Sequence, residues 1–227
     1  MTITGISSMA TRQVLAELAA AYTQRTGVAV PIESVGGVDA AKRVQAGEAF
    51  DVVLLASDAI DKLAAAGHLL PGSRVDLVRS AVAVAVPGGA PVPALDSEAA
   101  VRQAVLAAPR ISYSTGPSGT YLMQLFQRWG IADTIQPRLV QAPPGVPVGT
   151  LVARGEVDLG FQQLSELMHL DGITVAGTLP PDIAFITTFS GAVCATSAQA
   201  DAVRALLAWM AAPEAGAVKR RHGMDAA

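Results

Sequence analysis

The chain has one cysteine in 227 residues, Cys194, so no internal disulfide can form and no cysteine-based metal site is available. Cys194 lies in the apolar run Ala192-Val193-Cys194-Ala195, where burial favours a neutral structural thiol over a nucleophile. Histidine is also scarce. His68, His169 and His222 are too scattered to share a metal ion, so neither metal nor cofactor is expected. An excess of positive charge is missing too: 16 Lys and Arg stand against 19 Asp and Glu, a net charge of −3, with both signs interspersed. No basic stripe exists to displace counterions from phosphates, and no nucleic-acid partner is expected. The one dense basic cluster, Lys219-Arg220-Arg221-His222, reads as a solvated last helical turn, where cations suit the helix C-terminus. No apolar run reaches the roughly eighteen uninterrupted residues that span a bilayer, so no membrane insertion is expected. The N-terminus lacks a basic start followed by an apolar core and a small-residue cleavage site. A periplasmic location is expected if an export signal has been removed ahead of Met1, and a cytoplasmic one if Met1 is the native start.

What the chain does have is a large apolar fraction, 51%, arranged in short runs that alternate with helical periodicity. Alternation of strand and helix predicts a mostly parallel α/β sheet. Thr2–Ile6 reads as a first strand, and Ser7 or Ser8 caps a long helix that Gly27 ends. Val28–Glu33 is a second strand, followed by Gly36-Gly37 and a helix to about Ala46. Asp51–Leu55 is a third strand, and Ser57 opens the helix that stops at Gly67. Arg74–Val86 and Ala184–Ala195 are long extended segments, and the units in between read as helix 97–107, strand Ile111–Ser114, a helix ended by Gly130, strand Arg138–Gln141 and strand Val157–Phe161. Two helices broken at Pro213 close the chain. Trp129 and Trp209, at helical spacing among aliphatics, read as core residues. The pattern predicts two lobes joined by two crossover strands, residues 1–80 with 188–227 as the first and 81–187 as the second.

Small polar residues fall at four strand-to-helix junctions: Ser7-Ser8, Gly36-Gly37-Val38, Ser118-Gly119 and Gly145-Val146-Pro147. In open α/β sheets ligands bind beyond the carboxyl ends of strands, where such junctions gather. Helix starts there offer free backbone N–H groups and a partial positive charge, and glycine lets the backbone approach closely. An anion can be held this way without a basic residue. Two junctions per lobe predict a cleft that takes a small anionic ligand. Enzyme signatures are missing: Gly116-Pro117-Ser118-Gly119 lacks the spacing and the Gly-Lys-Ser/Thr ending of a phosphate loop, and no Gly-x-Ser-x-Gly elbow occurs.

The opening Gly5-Ile6-Ser7-Ser8-Met9 with its helix to Thr26-Gly27, then Gly36-Gly37-Val38-Asp39 and Gly47-Glu48-Ala49-Phe50-Asp51-Val52-Val53, resembles the first lobe of the molybdate-binding type of solute-binding protein. Gly155-Glu156-Val157-Asp158-Leu159-Gly160-Phe161 and Ala211-Ala212-Pro213-Glu214-Ala215 resemble its second lobe and closing helices, so the resemblance covers essentially the whole chain. It implies a two-lobed type II periplasmic-binding-protein fold, each lobe a mostly parallel sheet flanked by helices. In that family serine hydroxyls, backbone N–H groups and a tyrosine hold the oxyanion. By position, Ser7 or Ser8 matches the first serine, Gly36 and Gly37 replace the second, Ser118 and Val146 supply second-lobe N–H groups, and Gln162 or Gln163 stands in place of the tyrosine, with Gly119 and Val38 beside them in the expected site.

Amides both donate and accept, which suits a carboxylate better than a tetrahedral oxyanion. The expected activity is binding of a small carboxylate by a monomer, with an ABC-transporter permease as partner if the protein is exported. The alternative is an isomerase of a small tricarboxylate, since aconitate isomerase also resembles this family. No residue stands out as its base; Asp39, Glu166 and His169 lie nearest in sequence to the junctions. Arg12, Lys42, Arg43 and Arg79 are the nearest cations, and Arg79 on a crossover strand is the one expected to point inward. A regulator's sensor domain shares the fold, but no DNA-binding helices stand ahead of the first strand in these residues.

Overall fold

In the computed structural model, residues 1–143 and 145–227 are described; Pro144 of the proline-rich junction lies outside the described residues. The chain forms two compact units, Met1–Ser80 with Thr188–Ala227, and Ala81–Thr187.

The first unit opens with β1 (Gly5–Ser8), a short 3-10 turn over Met9–Thr11, and α1 (Arg12–Thr26). Gly27 ends α1 in a left-handed conformation, φ 73°, and donates its N–H to Thr23 O. A side chain there would meet the backbone clash that glycine avoids. Then follow β2 (Ile32–Val35), α2 (Gly37–Gln45), β3 (Val52–Ala56) and α3 (Ser57–Ala65). β1 pairs in parallel with both β2 and β3. β3 is buried along its whole length, as an apolar strand covered on both faces must be. Alternate residues serve two cores: Val52 and Leu54 pack with Leu15 and Leu18 of α1, while Val53 and Leu55 pack with Val44, Ile60 and Leu63 of α2 and α3.

β4 (Val75–Pro87) carries the chain into the second unit. There α4 (Glu98–Ala107), β5 (Ile111–Tyr113), α5 (Pro117–Arg128), α6 (Ala132–Ile135), β6 (Leu139–Gln141), α7 (Val148–Ala153), β7 (Leu159–Gln163), α8 (Leu164–Leu167) and β8 (Ile173–Thr178) follow in order. The strand order is β4-β7-β5-β6, with β8 also pairing β4. β5 is parallel to β6 and β7, whereas β7 and β8 are antiparallel to β4. β9 (Ile186–Val193) returns the chain, pairs antiparallel with β3, and leads to α9 (Ala200–Ala211), α10 (Gly216–Arg221) and β10 (Asp225–Ala226). α9 covers the α1 face of the first sheet through Leu206, Leu207 and Met210.

Three expectations change. The first strand ends at Ser8, so Ser7 and Ser8 are strand residues; Ser8 stands at the N-cap of the 3-10 turn that leads into α1 but makes no side-chain cap bond, and Thr2 makes only an isolated bridge to Ala29. β7 runs two residues past Phe161, because Val82 and Ala83 of β4 pair with Gln163 and Gln162 and keep the ladder going through polar residues. The basic cluster near the end is not all solvated. Lys219 is 1% exposed and donates to Leu77 O at 2.8 Å, while Arg221 and His222 both reach Glu17. Cys194 is buried, and burial, then the charge of Asp51, pushes its thiol up to about 12.

Candidate functional site

In the first unit, β1 and β2 end side by side, with Ser7 opposite Ser34 and Ser8 opposite Val35. Their hydroxyls differ. Ser7 Oγ lies 2.8 Å from Ser34 Oγ and also donates to Ser8 O at 3.4 Å. Ser8 is 7% exposed, yet its Oγ has no hydrogen-bond partner among the described residues. A buried hydroxyl left unpaired costs about 1–3 kcal/mol, so a ligand atom that pairs with it is stabilising.

Gly36 precedes α2 and Gly37 begins it. A Cβ built on Gly37 would sit 3.6 Å from Ser8 Cβ, so the first turn of α2 and the unpaired hydroxyl share one place. With no side chain at Gly37, the helix start and its partial positive charge are open to approach. Val38 is 50% exposed beside it. Asp39, in the same turn, folds back to within 3.3 Å of where a Gly36 Cβ would be.

A groove of about 820 Å³ in the same unit is lined by Arg12, Ala16 and Thr23 of α1 and by Ile32 and Ser34 of β2. It does not include Ser8 or Gly37, and it touches the serine cluster only through Ser34. Arg12 is exposed there, one turn beyond Ser8.

The other expected cations are used elsewhere. Arg79 does not point inward: strand alternation buries Val78 and Ser80 and turns Arg79 out, where its Nε donates to Ala226 O at 3.2 Å. Arg43 is held by Glu33 and Glu48 and lies over the Phe50 ring, and Lys42 is exposed.

In the second unit, α5 starts almost on top of the end of β5. Ser118 is 2% exposed with Oγ 2.9 Å from Ser114 Oγ, which also accepts the Gly116 N–H at 3.3 Å. A Cβ at Gly119 would come 1.8 Å from Ser114 O. Only glycine permits that approach. Val146 departs from expectation: its N–H donates to Pro143 O at 3.0 Å and closes a turn, so it is not a free donor.

Gln162 and Gln163 are both buried and point to opposite sides of β7, as strand alternation requires. Gln163 Nε2 donates to Thr187 Oγ1 at 2.7 Å, while its Oε1 has no partner among the described residues. A half-turn of the amide exchanges the two ends, so Gln163 can offer a ligand either a donor or an acceptor. Gln162 Oε1 accepts the Gly149 N–H of α7 at 3.4 Å, and its Nε2 donates to Glu166 Oε1 at 2.8 Å. Glu166 is half-buried in the first turn of α8. Burial pushes its carboxyl up to about 7, against the opposing effect of the Gln162 hydrogen bond.

The structure thus brings Ser7, Ser8, Gly36 and Gly37 together in one unit, with Val38 at their edge. Ser118 and Gly119 gather at the end of β5 in the other, and Gln162 and Gln163 at the end of β7. Ser34, Ser114 and Thr187 had not been singled out. Ser34 and Ser114 each sit at a strand end just before a glycine-bearing junction, which is the signal that marked their neighbours.

Residues 3–225 match the family of bacterial extracellular solute-binding proteins. The chain belongs to this family. Within it, this solute-binding protein is 38% identical to an aconitate isomerase from a Pseudomonas species over 229 residues, covering 98% of this chain and 87% of the relative. It is 25% identical to a molybdate-binding protein of Rhodobacter capsulatus over 209 residues, covering 91% and 81%. Among solved structures, the periplasmic molybdate-binding protein of Azotobacter vinelandii superposes with a TM-score of 0.81 at 23% identity, covering 98% of each chain. That likeness fixes the fold as the periplasmic-binding-protein type. Among the described residues no helix is long and apolar enough to cross a membrane, and no group of His, Cys, Asp and Glu is placed to hold a metal ion.

Proposed function

We propose that this protein binds a small carboxylate anion at its serine and glycine junctions in preference to molybdate. The observation that carries this reading is the polar set. In the first unit Ser8 supplies one unpaired hydroxyl and its neighbour Gly37 none; in the second, taken by itself, Gln163 supplies a carboxamide with one free end. A compact tetrahedral oxyanion needs donors on every side. A carboxylate is planar, is satisfied by donors along its edge, and tolerates an amide that can turn to suit it. Arg12, exposed on the groove it shares with Ser34, is the cation best placed for a second carboxylate on the same ligand. If the protein is exported, an ABC permease is the partner that would receive the ligand.

A second reading is favoured by one specific finding, the relative named aconitate isomerase, whose identity to this chain exceeds that of the molybdate-binding relatives. On this reading the protein isomerises a tricarboxylate of the aconitate type. Moving the double bond requires a base for a carbon-bound proton and N–H or hydroxyl donors for the charge that spreads onto a carboxylate. A thermal-shift screen with molybdate, tungstate, sulfate, citrate and the two aconitate isomers tests the binding claim. A ligand that binds only the folded state stabilises it by about 2.7 kcal/mol at a hundredfold excess over Kd. The expected result is a shift with citrate or aconitate and a smaller one with molybdate. Proton NMR of the same samples reads isomerisation directly.

A further inference from the structure

We propose that Glu166 is the acid–base group of this site, taking a proton from the methylene carbon of a bound aconitate-type ligand and returning it to the alkene CH carbon at the far end of the allyl unit. The assignment rests on the isomerase reading. It starts from where the side chain is held. β7 ends in Gln163, α8 begins at once, and Glu166 falls in its first turn. Its Oε1 accepts from Gln162 Nε2, and the other end of that same amide accepts the Gly149 N–H in the first turn of α7. A carboxylate is therefore tied, through one amide, to the junction that leads into α7. Its Oε2 takes no hydrogen bond from the protein among the described residues, and no Lys, Arg or His forms an ion pair with it there.

The two rival candidates are placed less well. His169 is exposed, and Asp39 lies folded over Gly36 in the first turn of α2, where a carboxylate suits the positive end of the helix dipole. A half-buried acid without a cation is costly to keep ionised and is poised to exchange a proton near neutral pH, which matches its elevated value of about 7.

The chemistry balances without a co-reactant. The methylene C–H bond breaks and the proton passes to a Glu166 carboxylate oxygen. The electron pair enters the allylic system, and the charge spreads onto the adjoining carboxylate. A double bond forms from the former methylene carbon to the central carbon. The protonated Glu166 then gives its proton to the carbon at the far end of the allyl unit. Nothing is oxidised or reduced, and the residue returns to its starting state. Gln162 is a positioning residue that fixes Oε1 and leaves Oε2 to work.

The experiment compares wild type, Glu166→Gln and Glu166→Asp on trans-aconitate in D2O, following cis-aconitate and deuterium uptake by NMR across pH, with binding measured by calorimetry. Wild type is expected to isomerise and exchange, with kcat rising through a limb near pH 7. Glu166→Gln should lose about 10²–10⁴-fold in kcat, the usual worth of general acid–base catalysis, and lose that limb while its Kd changes only a few-fold. Glu166→Asp should recover part of the rate with a displaced limb. Glu166→Gln that keeps kcat within a few-fold and the same pH profile overturns the assignment alone. Wild type that binds trans-aconitate but neither isomerises nor exchanges it overturns the isomerase reading and the assignment with it. Because Asp retains the carboxyl, a folded Glu166→Asp without any activity beyond Glu166→Gln also counts against a proton-transfer role.

Discussion

At the scale of single residues, Ser7 and Ser8 show why adjacent serines do different work. Ser7 completes its hydrogen bonds inside the protein, with Ser34, whereas Ser8 is buried and left unpaired. Ser8→Ala therefore removes a group that the empty fold does not satisfy. It should leave thermal stability unchanged or slightly raised while weakening anion binding about 10–100-fold, the worth of a hydrogen bond to a charged group. Calorimetry and a melting curve on the same variant check both halves, and a variant that melts early with unchanged affinity contradicts the role given to Ser8. The sequence marks the pair but cannot choose between them, because the choice depends on Ser34 from another strand. Arg79 was misread for a similar reason: its partner, Ala226, comes from the far end of the chain.

Asp51 is the clearest structural carboxylate. Desolvation alone would raise its pKa, but hydrogen bonds from the Ser197 hydroxyl, the backbone and hydroxyl of Thr4, and Gln199 outweigh it and hold the carboxyl below its ordinary value. A group depressed in the folded state contributes stability that is present above its unfolded pKa and lost as pH falls through the folded value. Wild type should lose stability on acidification below about pH 4, the ordinary carboxylate range, more steeply than Asp51→Asn, which should be less stable at neutral pH. Parallel denaturation curves at pH 7 and pH 3 show whether the gap narrows as predicted.

At the scale of elements, the start of α5 is set by Gly119. A Cβ there would collide with Ser114 O, so Gly119→Ala must push α5 away from β5 or strain the turn. Overpacking of this kind costs about 1–3 kcal/mol, and the displacement should also separate Ser118 from Ser114 and weaken binding. Loss of stability without loss of affinity would show that α5 takes no part in the site. Helix positions were readable from capping residues and terminal glycines: Gly27 ends α1 and Ser97 caps α4, accepting the Ala100 N–H. Strand limits were less so. Gln162 and Gln163 look like loop residues by polarity, and only pairing with β4 makes them strand. β8, flanked by Gly172 and ending in Gly177-Thr178, was not foreseen, because its apolar residues Ile173 and Val175 are too few to announce a strand without β4 beside them.

At the scale of the whole molecule, a protein of net charge −3 is not built to draw anions by its overall field. Affinity must come from local donors: hydroxyls and an amide, each worth about 1.5–3 kcal/mol against a charged group, and the starts of helices, each worth about 0.3–1 kcal/mol near the surface and up to about 2 when partly buried. That supply suits one carboxylate and makes Arg12 important for a second. The fold class and the family were legible because they rest on periodicity and junction spacing spread over the whole chain. The ligand was not, because it turns on a few donors whose availability depends on partners distant in sequence. Isothermal titration of the protein with molybdate, citrate and both aconitate isomers tests the central claim most directly. Saturable binding of citrate or an aconitate isomer, at least about tenfold tighter than molybdate, a gap of about 1.4 kcal/mol, is the predicted result. Tight binding of molybdate with no heat from citrate or either aconitate isomer would contradict it.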